Sequence, residues 1–464
     1  MAQQLDRSMR DTVRQTGKRP REVYSDMIAS LPKRFRESST QQELIQQLPT
    51  FSEVQAQLSR HRQHTCIPVP DPRNIPDELK TTLRGREVCD GDPHKDERFL
   101  LYSGQDGRLL VFCAPTELAV LYQSEYVVCD GTFEMSPDSA YQLYTMHGFL
   151  HGESMPLVWA LLPSKSSATY VEMFTAVRDA LVNSFGSTGC SRTFLVDFEA
   201  AAIKAIQSVF TNSIVKGCCF HYRQALYRKV QAVGLKGDYE NNDNSTVRDW
   251  IQQLMSMSMI PAWAIPFVWS RLQFPPTTVD AATYAKLLEL AGYFDNTWVN
   301  GDFPPTLWSH YDNVGPRTTN HAEGFHNSLN VKFGMPHTSL RSFLNWLQKA
   351  QYEVQCRIIQ LEAGRQPKAR QATYVQNDAN IWSAKLRYSM RIGRIFSCLF
   401  PHPQAWEEFH TASMDYMRHC SHNAWLLSLG HDTCFYVMCC WMFIYMRRPM
   451  LKSTFCIMLT LLAE

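Results

Sequence analysis

The sequence predicts an α/β fold in which helices cover a mixed β-sheet, and three features of the chain support this prediction. Three apolar segments follow one another directly and are separated only by turn signals, which favours antiparallel pairing. Two later apolar segments alternate with amphipathic helical patterns, which favours parallel pairing. A tryptophan-rich stretch then shows helical patterns and no strand pattern, which predicts an all-helical insertion.

The part of the chain before the sheet, residues 1–85, is predicted to be a helical, basic region that ends in a proline-rich linker. Helical spacing of apolar residues occurs in "REVYSDMIASLP" and in "TQQELIQQL". The segment "CIPVPDPRNIPDEL" is too rich in proline for regular structure. Lys and Arg slightly outnumber the acids before this linker, which fits a solvated surface and a DNA-facing surface equally well.

Residues 86–235 are predicted to form the first part of a catalytic domain. A hairpin with Gly107 in its turn comes first, and a helix with Thr116 as its N-cap follows. The five strands of the main sheet are then predicted in "YVVCDGTF", "YQLYTMHGFL", "SMPLVWALLP", "RTFLVDF" and "SIVKGCCFHY". Helices are predicted after the third, fourth and fifth of these strands. This order is that of the ribonuclease-H-like fold, in which the first and fourth strands lie side by side.

Three further regions complete the predicted organisation. Residues 236–315 are the helical insertion, and residues 316–365 return to the catalytic domain with helices that carry Glu323. Residues 366–464 are a C-terminal helical region with a hydrophobic tail of uncertain origin. The two apolar pieces of that tail are each shorter than the roughly 18 to 20 residues that span a bilayer, so no membrane partner is expected.

Composition places the chain among ordinary globular proteins. Hydrophobic residues make up 45% of it and charged residues 19%, which is unlike a disordered chain. The net charge of +2 argues neither for nor against nucleic acid as a partner. The chain has 14 cysteines but no C-x-x-C pair, and its first residues lack a secretory signal, so we expect a reduced, intracellular compartment.

Two acids are predicted to meet at one edge of the sheet. Asp130 ends the first strand and Asp197 ends the fourth, and Glu323 on a later helix is placed to join them. Phosphoryl transfer on a nucleic acid uses two divalent metal ions about 3.5 to 4 Å apart. Mg²⁺ and Mn²⁺ prefer oxygen ligands, which carboxylates supply.

Each acid also has a simpler interpretation. Asp130 precedes a glycine and is therefore a possible turn residue. Asp197 competes with Glu199, since both would face one side if the strand continued. Glu323 sits where a capping box would place it if Asn320 is the N-cap of its helix. His326 follows Glu323 by three residues and therefore shares its helix face.

Four short motifs carry a family resemblance. These are "DGTF" at 130–133, "DFE" at 197–199, "CCFH" at 218–221 and "RTTNHAEGFHNSL" at 317–329. In order and spacing they resemble the transposase domain of Mutator-like elements, the MULE domain, over roughly residues 120–350. The helical insertion between the second acid and Glu323 also matches that family, as does the segment before the domain in its animal members.

The resemblance implies a DDE-type transposase. Asp130, Asp197 and Glu323 would be its catalytic, metal-binding acids, with Mg²⁺ or Mn²⁺ as the cofactor. The implied reaction is cleavage of a phosphodiester at a transposon end, followed by attack of the freed 3′-hydroxyl on target DNA. We therefore expect DNA as the partner, a homo-oligomer and a nuclear location. The alternative is a host-adopted relic that binds DNA and no longer cuts it.

Several other residues are candidates for supporting roles. Cys218 and His221 resemble the family's C-x-x-H signature and would contact DNA, bind a metal or orient the site, although a strand cysteine is usually only part of a core. His326 is a candidate for orienting the site or for contacting DNA. Arg317 and Asn320 are candidates for phosphate contacts or for supporting the start of the helix. Zinc-finger patterns found in some relatives are missing from this sequence, so DNA-end recognition is not assigned to any segment.

Overall fold

The computed structural model describes residues 7–13, 21, 23–28, 49–64, 71–133, 136–241, 243–333, 339–399 and 403–423. The chain divides into two compact units, Met1–Asp71 and Pro72–Glu464. The first unit contains helix α1 (Phe51–His64) and helical residues at 7–13 and 23–28. Its small core includes Val13 and Leu58, which are both fully buried. The domain limits given above stay predictions.

The second unit is built on one seven-stranded mixed sheet. Its strands are β1 (Leu100–Ser103), β2 (Leu110–Phe112), β3 (Tyr126–Thr132), β4 (Gln142–Leu150), β5 (Glu153–Leu162), β6 (Thr193–Val196) and β7 (Ile214–Gly217). They lie in the order β1-β2-β5-β4-β3-β6-β7. The pairs β3–β6 and β6–β7 are parallel, and the other neighbours are antiparallel. The predicted mixed α/β sheet is therefore confirmed.

The antiparallel half of the sheet follows from turn chemistry. Strands β4 and β5 pair from Gln142↔Leu162 to Leu150↔Glu153. His151 and Gly152, the two residues between them, have φ values of 50° and 81°. Two positive φ angles define the tight hairpin turn whose twist matches that of the flanking strands. The turn predicted in "HGES" is therefore present.

The parallel half brings β3 beside β6. Val128 pairs with Leu195, so the first and fourth strands of the predicted order are neighbours. Helix α5 (Ser167–Phe185) connects the antiparallel part to β6, and α6 (Ala200–Val209) connects β6 to β7. These connections between parallel strands are helical, as parallel pairing requires.

Two local predictions were wrong. The fifth strand ends at Gly217, and α7 (Cys219–Ala232) begins where the sequence suggested more strand. The two cysteines extend an apolar run, but Cys219, Tyr222 and Leu226 follow helical spacing and are buried together. Helix α4 (Pro115–Gln123) begins before Thr116 and has Ala114 as its N-cap, because proline suits the first helical position.

Helices cover both faces of the sheet. On one face α5 and α6 contribute Phe174 and Ile206 to the main core beneath them. On the other face Phe343 and Leu347 pack against Trp159 of β5. The helices on that second side include α13 (Asn320–Phe333) and α14 (Leu340–Glu362). Burial of both faces explains why the central strands read as continuous apolar runs.

The remaining helices form a separate packed group. They are α8 (Lys236–Glu240), α9 (Thr246–Ser256), α10 (Ile265–Leu272), α11 (Ala281–Phe294), α12 (Pro305–Trp308), α15 (Ala372–Leu399) and α16 (Pro403–Asn423). The short helices α2 (Asp77–Lys80) and α3 (Leu83–Glu87) precede the sheet, and Leu79 of α2 packs in the same core as Trp159. Trp298 and Trp308 lie in a core that also includes Phe409 and Met417 of α16. The C-terminal helices therefore pack on the tryptophan-rich segment, and its described residues contain no strand.

The described helices include none that is long and apolar enough to cross a membrane. The hydrophobic tail after about residue 430 lies outside the described residues.

A buried carboxyl group joins α4 to α14. Glu117 is fully buried, and its Oε1 accepts a hydrogen bond of 2.9 Å from Nε2 of Gln351. Its Oε2 has no hydrogen-bond partner within the described structure. Burial raises the pKa of Glu117 to about 7, because a charged carboxylate is costly away from water.

We expect Glu117→Gln to stabilise the protein more at pH 8 than at pH 5. The pKa of Glu117 rises from 4.5 to about 7 on folding, so the wild type loses stability as the pH rises between those values. At about 1.4 kcal/mol per pKa unit, the gain in free energy of unfolding at pH 8 has an upper bound of about 3 kcal/mol. Urea unfolding at both pH values measures it. Glu362→Gln, which alters an exposed acid of α14, is the control, and an equal gain at both pH values would contradict the assignment.

Candidate functional site

The site lies where β3 and β6 end at the same edge of the sheet. The parallel register pairs Val128 with Leu195, and continuing it by two residues places Asp197 beside Asp130. Strand β6 ends at Val196, so Asp197 is the first residue beyond the sheet. Asp130 is only 8% exposed and does not end its strand as predicted, because Gly131 and Thr132 continue the pairing of β3 with β4. Backbone pairing of two strands therefore brings the two predicted acids together.

The two acids repel each other. Burial and, after it, the negative charges of Asp130 and Glu199 raise the pKa of Asp197 to about 6. The positive charges of His221 and Lys165 act in the opposite direction. A carboxyl group that is both desolvated and next to another carboxylate is typical of functional sites.

Asp130 is held in place by a histidine and a threonine. Nδ1 of His326 lies 3.2 Å from Oδ2 of Asp130, and Nε2 of His326 lies 3.1 Å from Oγ1 of Thr145. Thr145 of β4 pairs with Asp130 of β3, and its hydroxyl donates to the Asp130 carbonyl oxygen at 3.3 Å. All three residues are buried. The carboxylate of Asp130 is thus fixed from the side of α13.

Glu323 lies in the first turn of α13, and that helix packs directly on the two strands. Ala322 is fully buried against Val128 of β3 and Leu195 of β6. The methyl side chain allows the helix backbone to approach the sheet closely. Glu323 therefore belongs to the helix that covers the strands from which both aspartates come.

The carboxylate of Glu323 has two neighbours. Nε2 of His221 lies 3.5 Å from Oε1 of Glu323, and Oγ1 of Thr319 lies 3.2 Å from the same oxygen. The backbone N–H of Glu323 donates to the Thr319 carbonyl at 3.1 Å. Helix α13 begins at Asn320, so the predicted N-cap residue is its first helical residue instead.

Cys218 joins the end of β7 to the start of α13. Its Sγ accepts a hydrogen bond of 3.3 Å from the backbone N–H of Thr319, and the Thr319 hydroxyl lies 3.4 Å away. Burial raises the pKa of the Cys218 thiol to about 11, which keeps it protonated near neutral pH. Helix α7 begins at Cys219, so Cys218 of the C-x-x-H motif is the N-cap residue and His221 lies in the first turn. In that position His221 lies beside Glu323.

Arg317 forms an ion pair far from solvent. It is 8% exposed and donates to Oδ1 of Asp378 on α15, while Arg370 donates to Oδ2 of Asp378 at 2.6 Å. The backbone carbonyl of Arg317 accepts a hydrogen bond of 2.8 Å from the backbone N–H of Cys219. Arg317 therefore ties α15 to the start of α7. Asn320 is exposed at the start of α13, and phosphate contacts by either residue stay a prediction.

Glu199, the alternative to Asp197 as the second acid of the site, forms an ion pair with Lys165. Its Oε2 lies 3.0 Å from Nζ of Lys165, and it is the N-cap residue of α6 without a side-chain capping bond. Sequence reasoning missed Lys165, Thr145 and Thr319. Thr145 reaches the site through strand register and Thr319 lies within the quoted motif at 317–329, whereas nothing in the sequence singled out Lys165.

The donor groups suit a hard cation, although the described residues do not assemble a complete metal centre. No group of three or more His, Cys, Asp or Glu side chains among them is close enough to hold a metal ion. Asp130 and Asp197 supply the carboxylate oxygens that Mg²⁺ and Mn²⁺ prefer. Glu323 is engaged by His221 of α7 and by Thr319, the residue that precedes α13.

We expect two substitutions on α13 to have opposite effects. Ala322→Leu should lower the free energy of unfolding by about 1 to 3 kcal/mol, since an added side chain overpacks the contact with the sheet. Gly324→Ala should raise it by about 0.5 to 1 kcal/mol, since a methyl group there meets open space in a helix. Urea unfolding measures both. A neutral Ala322→Leu would contradict the close approach of α13.

Comparison with known families covers the first part of this site. Residues 126–225 match the family model of the MULE transposase domain. The match begins with β3 and ends within α7, so it includes Asp130, Asp197, Cys218 and His221 but stops before Glu323. No curated protein matches the chain. The resemblance carried by the motifs at 130–133, 197–199 and 218–221 is thereby confirmed, and the chain contains a MULE transposase domain over residues 126–225.

Proposed function

We propose that this chain cleaves and joins DNA by metal-dependent phosphoryl transfer, with Asp130, Asp197 and Glu323 as its catalytic acids. The MULE transposase domain indicates a transposase-family function. The observation that carries the finer proposal is the repulsion between buried Asp130 and half-buried Asp197, which neighbouring parallel strands bring to one edge of the sheet. Burying like charges together costs stability, and a divalent cation between them would offset that cost.

The acids fit such a cation by type and by position. Asp130 and Asp197 would hold it, and Glu323 would supply a third carboxylate from α13. When bound, Mg²⁺ or Mn²⁺ would activate the attacking oxygen and stabilise the leaving oxygen of a phosphodiester. His326 keeps Asp130 oriented. The role of the protein is thus mainly to position charged groups.

The sheet supports a ribonuclease-H-like assignment. Five of its strands lie in the order β5-β4-β3-β6-β7, which places the first strand of the main domain beside the fourth. The proposed reaction is hydrolysis at a transposon end and then attack of the freed 3′-hydroxyl on target DNA. Because two transposon ends need two catalytic sites, we also propose a homo-oligomer. Its DNA substrate implies a nuclear location.

A second candidate is a relic that binds DNA without cutting it. The contact of His221 with Glu323, together with the lack of a three-ligand metal group among the described residues, favours this alternative. The two candidates differ in whether the carboxylates bind a divalent cation, which unfolding measurements test directly.

We expect Mn²⁺ to stabilise the wild-type chain and not Asp197→Asn. A ligand at 100 times its dissociation constant adds about 2.7 kcal/mol to the free energy of unfolding. Thermal unfolding of the full chain with and without Mn²⁺ measures this gain. Glu199→Gln should keep most of it if Asp197 is the ligand. Glu289→Gln, which removes an exposed acid paired with Lys229, is the control.

If Mn²⁺ stabilises the wild type and Asp197→Asn equally, Asp197 is not a ligand of the metal ion. If only Glu199→Gln loses the Mn²⁺ stabilisation, Glu199 rather than Asp197 is the ligand.

We expect the wild type to nick supercoiled plasmid DNA in the presence of Mn²⁺. Asp130→Asn, Asp197→Asn and Glu323→Gln should each lower the rate by about 100-fold or more, since metal-held charges contribute several kcal/mol to such reactions. Gel analysis of nicked and linear products measures the rate, and fluorescence anisotropy checks that DNA binding is kept. A wild type that binds DNA and leaves it intact would support the relic instead.

A further inference from the structure

Two exposed aromatic rings form a corner close to the acids. Phe133 is 39% exposed and Tyr141 is 54% exposed. Their ring centroids are 5.3 Å apart, and the ring planes meet at 72°. Single exposed aromatic residues are common on protein surfaces, but this pair leaves two aromatic surfaces in water at one place.

The chain positions this corner through the sheet. Phe133 follows the end of β3, three residues after Asp130, and its carbonyl accepts a hydrogen bond of 2.9 Å from the Ser136 hydroxyl. Tyr141 immediately precedes β4, and its backbone N–H donates to the Leu162 carbonyl at 2.9 Å. The corner is therefore attached to the strand that carries Asp130 and to its antiparallel neighbour.

Lys165 connects the corner to the acids. Its Nζ lies 4.5 Å from the centroid of the Phe133 ring and 3.0 Å from Oε2 of Glu199. Its positive charge also lowers the pKa of Asp197, which opposes the effects of burial and of Asp130. One ammonium group thus interacts with an exposed ring and with the charges of the proposed catalytic site.

We propose that Phe133 and Tyr141 are a stacking site for one unpaired base of the DNA strand whose phosphate the acids act on, with Lys165 as the cation between ring and acids. This inference rests on the proposed function for the identity of that strand. Aromatic side chains stack on any base that has a free face, whereas the bases within a duplex have both faces covered. The occupant is therefore single-stranded DNA, and its backbone charge suits the nearby ammonium group.

The test compares a fluorescent 20-nucleotide single strand with its duplex, using the full chain in EDTA. Phe133→Ala and Tyr141→Ala should each weaken single-strand binding by about tenfold to a hundredfold, as loss of one base–aromatic stack does. Duplex affinity should change much less. Phe133→Trp should keep single-strand binding because it keeps an aromatic face. Phe274→Ala, which removes a ring that is 69% exposed, is the control and should bind as the wild type does.

Fluorescence anisotropy gives these affinities, and thermal unfolding confirms that each variant is folded. Unchanged single-strand binding in both alanine variants would overturn the proposal, as would equal losses for duplex and single strand. A wild type without affinity for the single strand would also overturn it. Because EDTA removes divalent cations, the binding assay does not depend on the metal-dependent nicking reaction. If the variants lose single-strand binding but the wild type nicks no DNA, the stacking proposal stands and only the phosphoryl-transfer proposal is refuted.

Discussion

The parallel pairing of β3 with β6 is the constraint on which the candidate site depends. Its register, continued by two residues beyond Val128 and Leu195, places Asp197 beside Asp130. Backbone hydrogen bonds on both sides of β3 set this register, since β4 pairs with it from Val128 to Thr132. The consequence is that burial and the neighbouring charge of Asp130 both raise the pKa of Asp197.

The surrounding elements are organised around that pair. Helix α13 lies on the two strands through Ala322 and brings His326 to Asp130. Cys218 binds the residue that precedes α13, so the end of β7 and the start of the Glu323 helix are joined. Histidines from two helices therefore face carboxylates of the site, one at Asp130 and one at Glu323. The contact with His326 supplies a partner for the buried Asp130 carboxylate, whereas the Glu323 side chain is a third exposed.

The helical segments connect to this site through buried polar contacts. Arg317, directly before α13, pairs with Asp378 of α15, and α15 packs with α16 on the tryptophan-rich core. His310 Nε2 lies 2.8 Å from the carbonyl of Gly217, at the end of β7. A buried ion pair is a weak source of net stability, but breaking one is costly. These contacts therefore fix the helical segments relative to the strand ends, and removing one partner of such a contact should destabilise the protein.

The sequence by itself determined the succession of strands and helices along the sheet domain and the antiparallel hairpin at His151 and Gly152, because these depend on local pattern and turn chemistry. It misplaced the boundary at Cys219, where an apolar run looked like strand although the buried positions follow helical spacing. Only the tertiary structure revealed the contacts of Thr145 with His326, of His221 with Glu323 and of Lys165 with Phe133. These residues are far apart in the chain, and their contacts arise from strand register and helix packing, which a single sequence does not encode as a local signal.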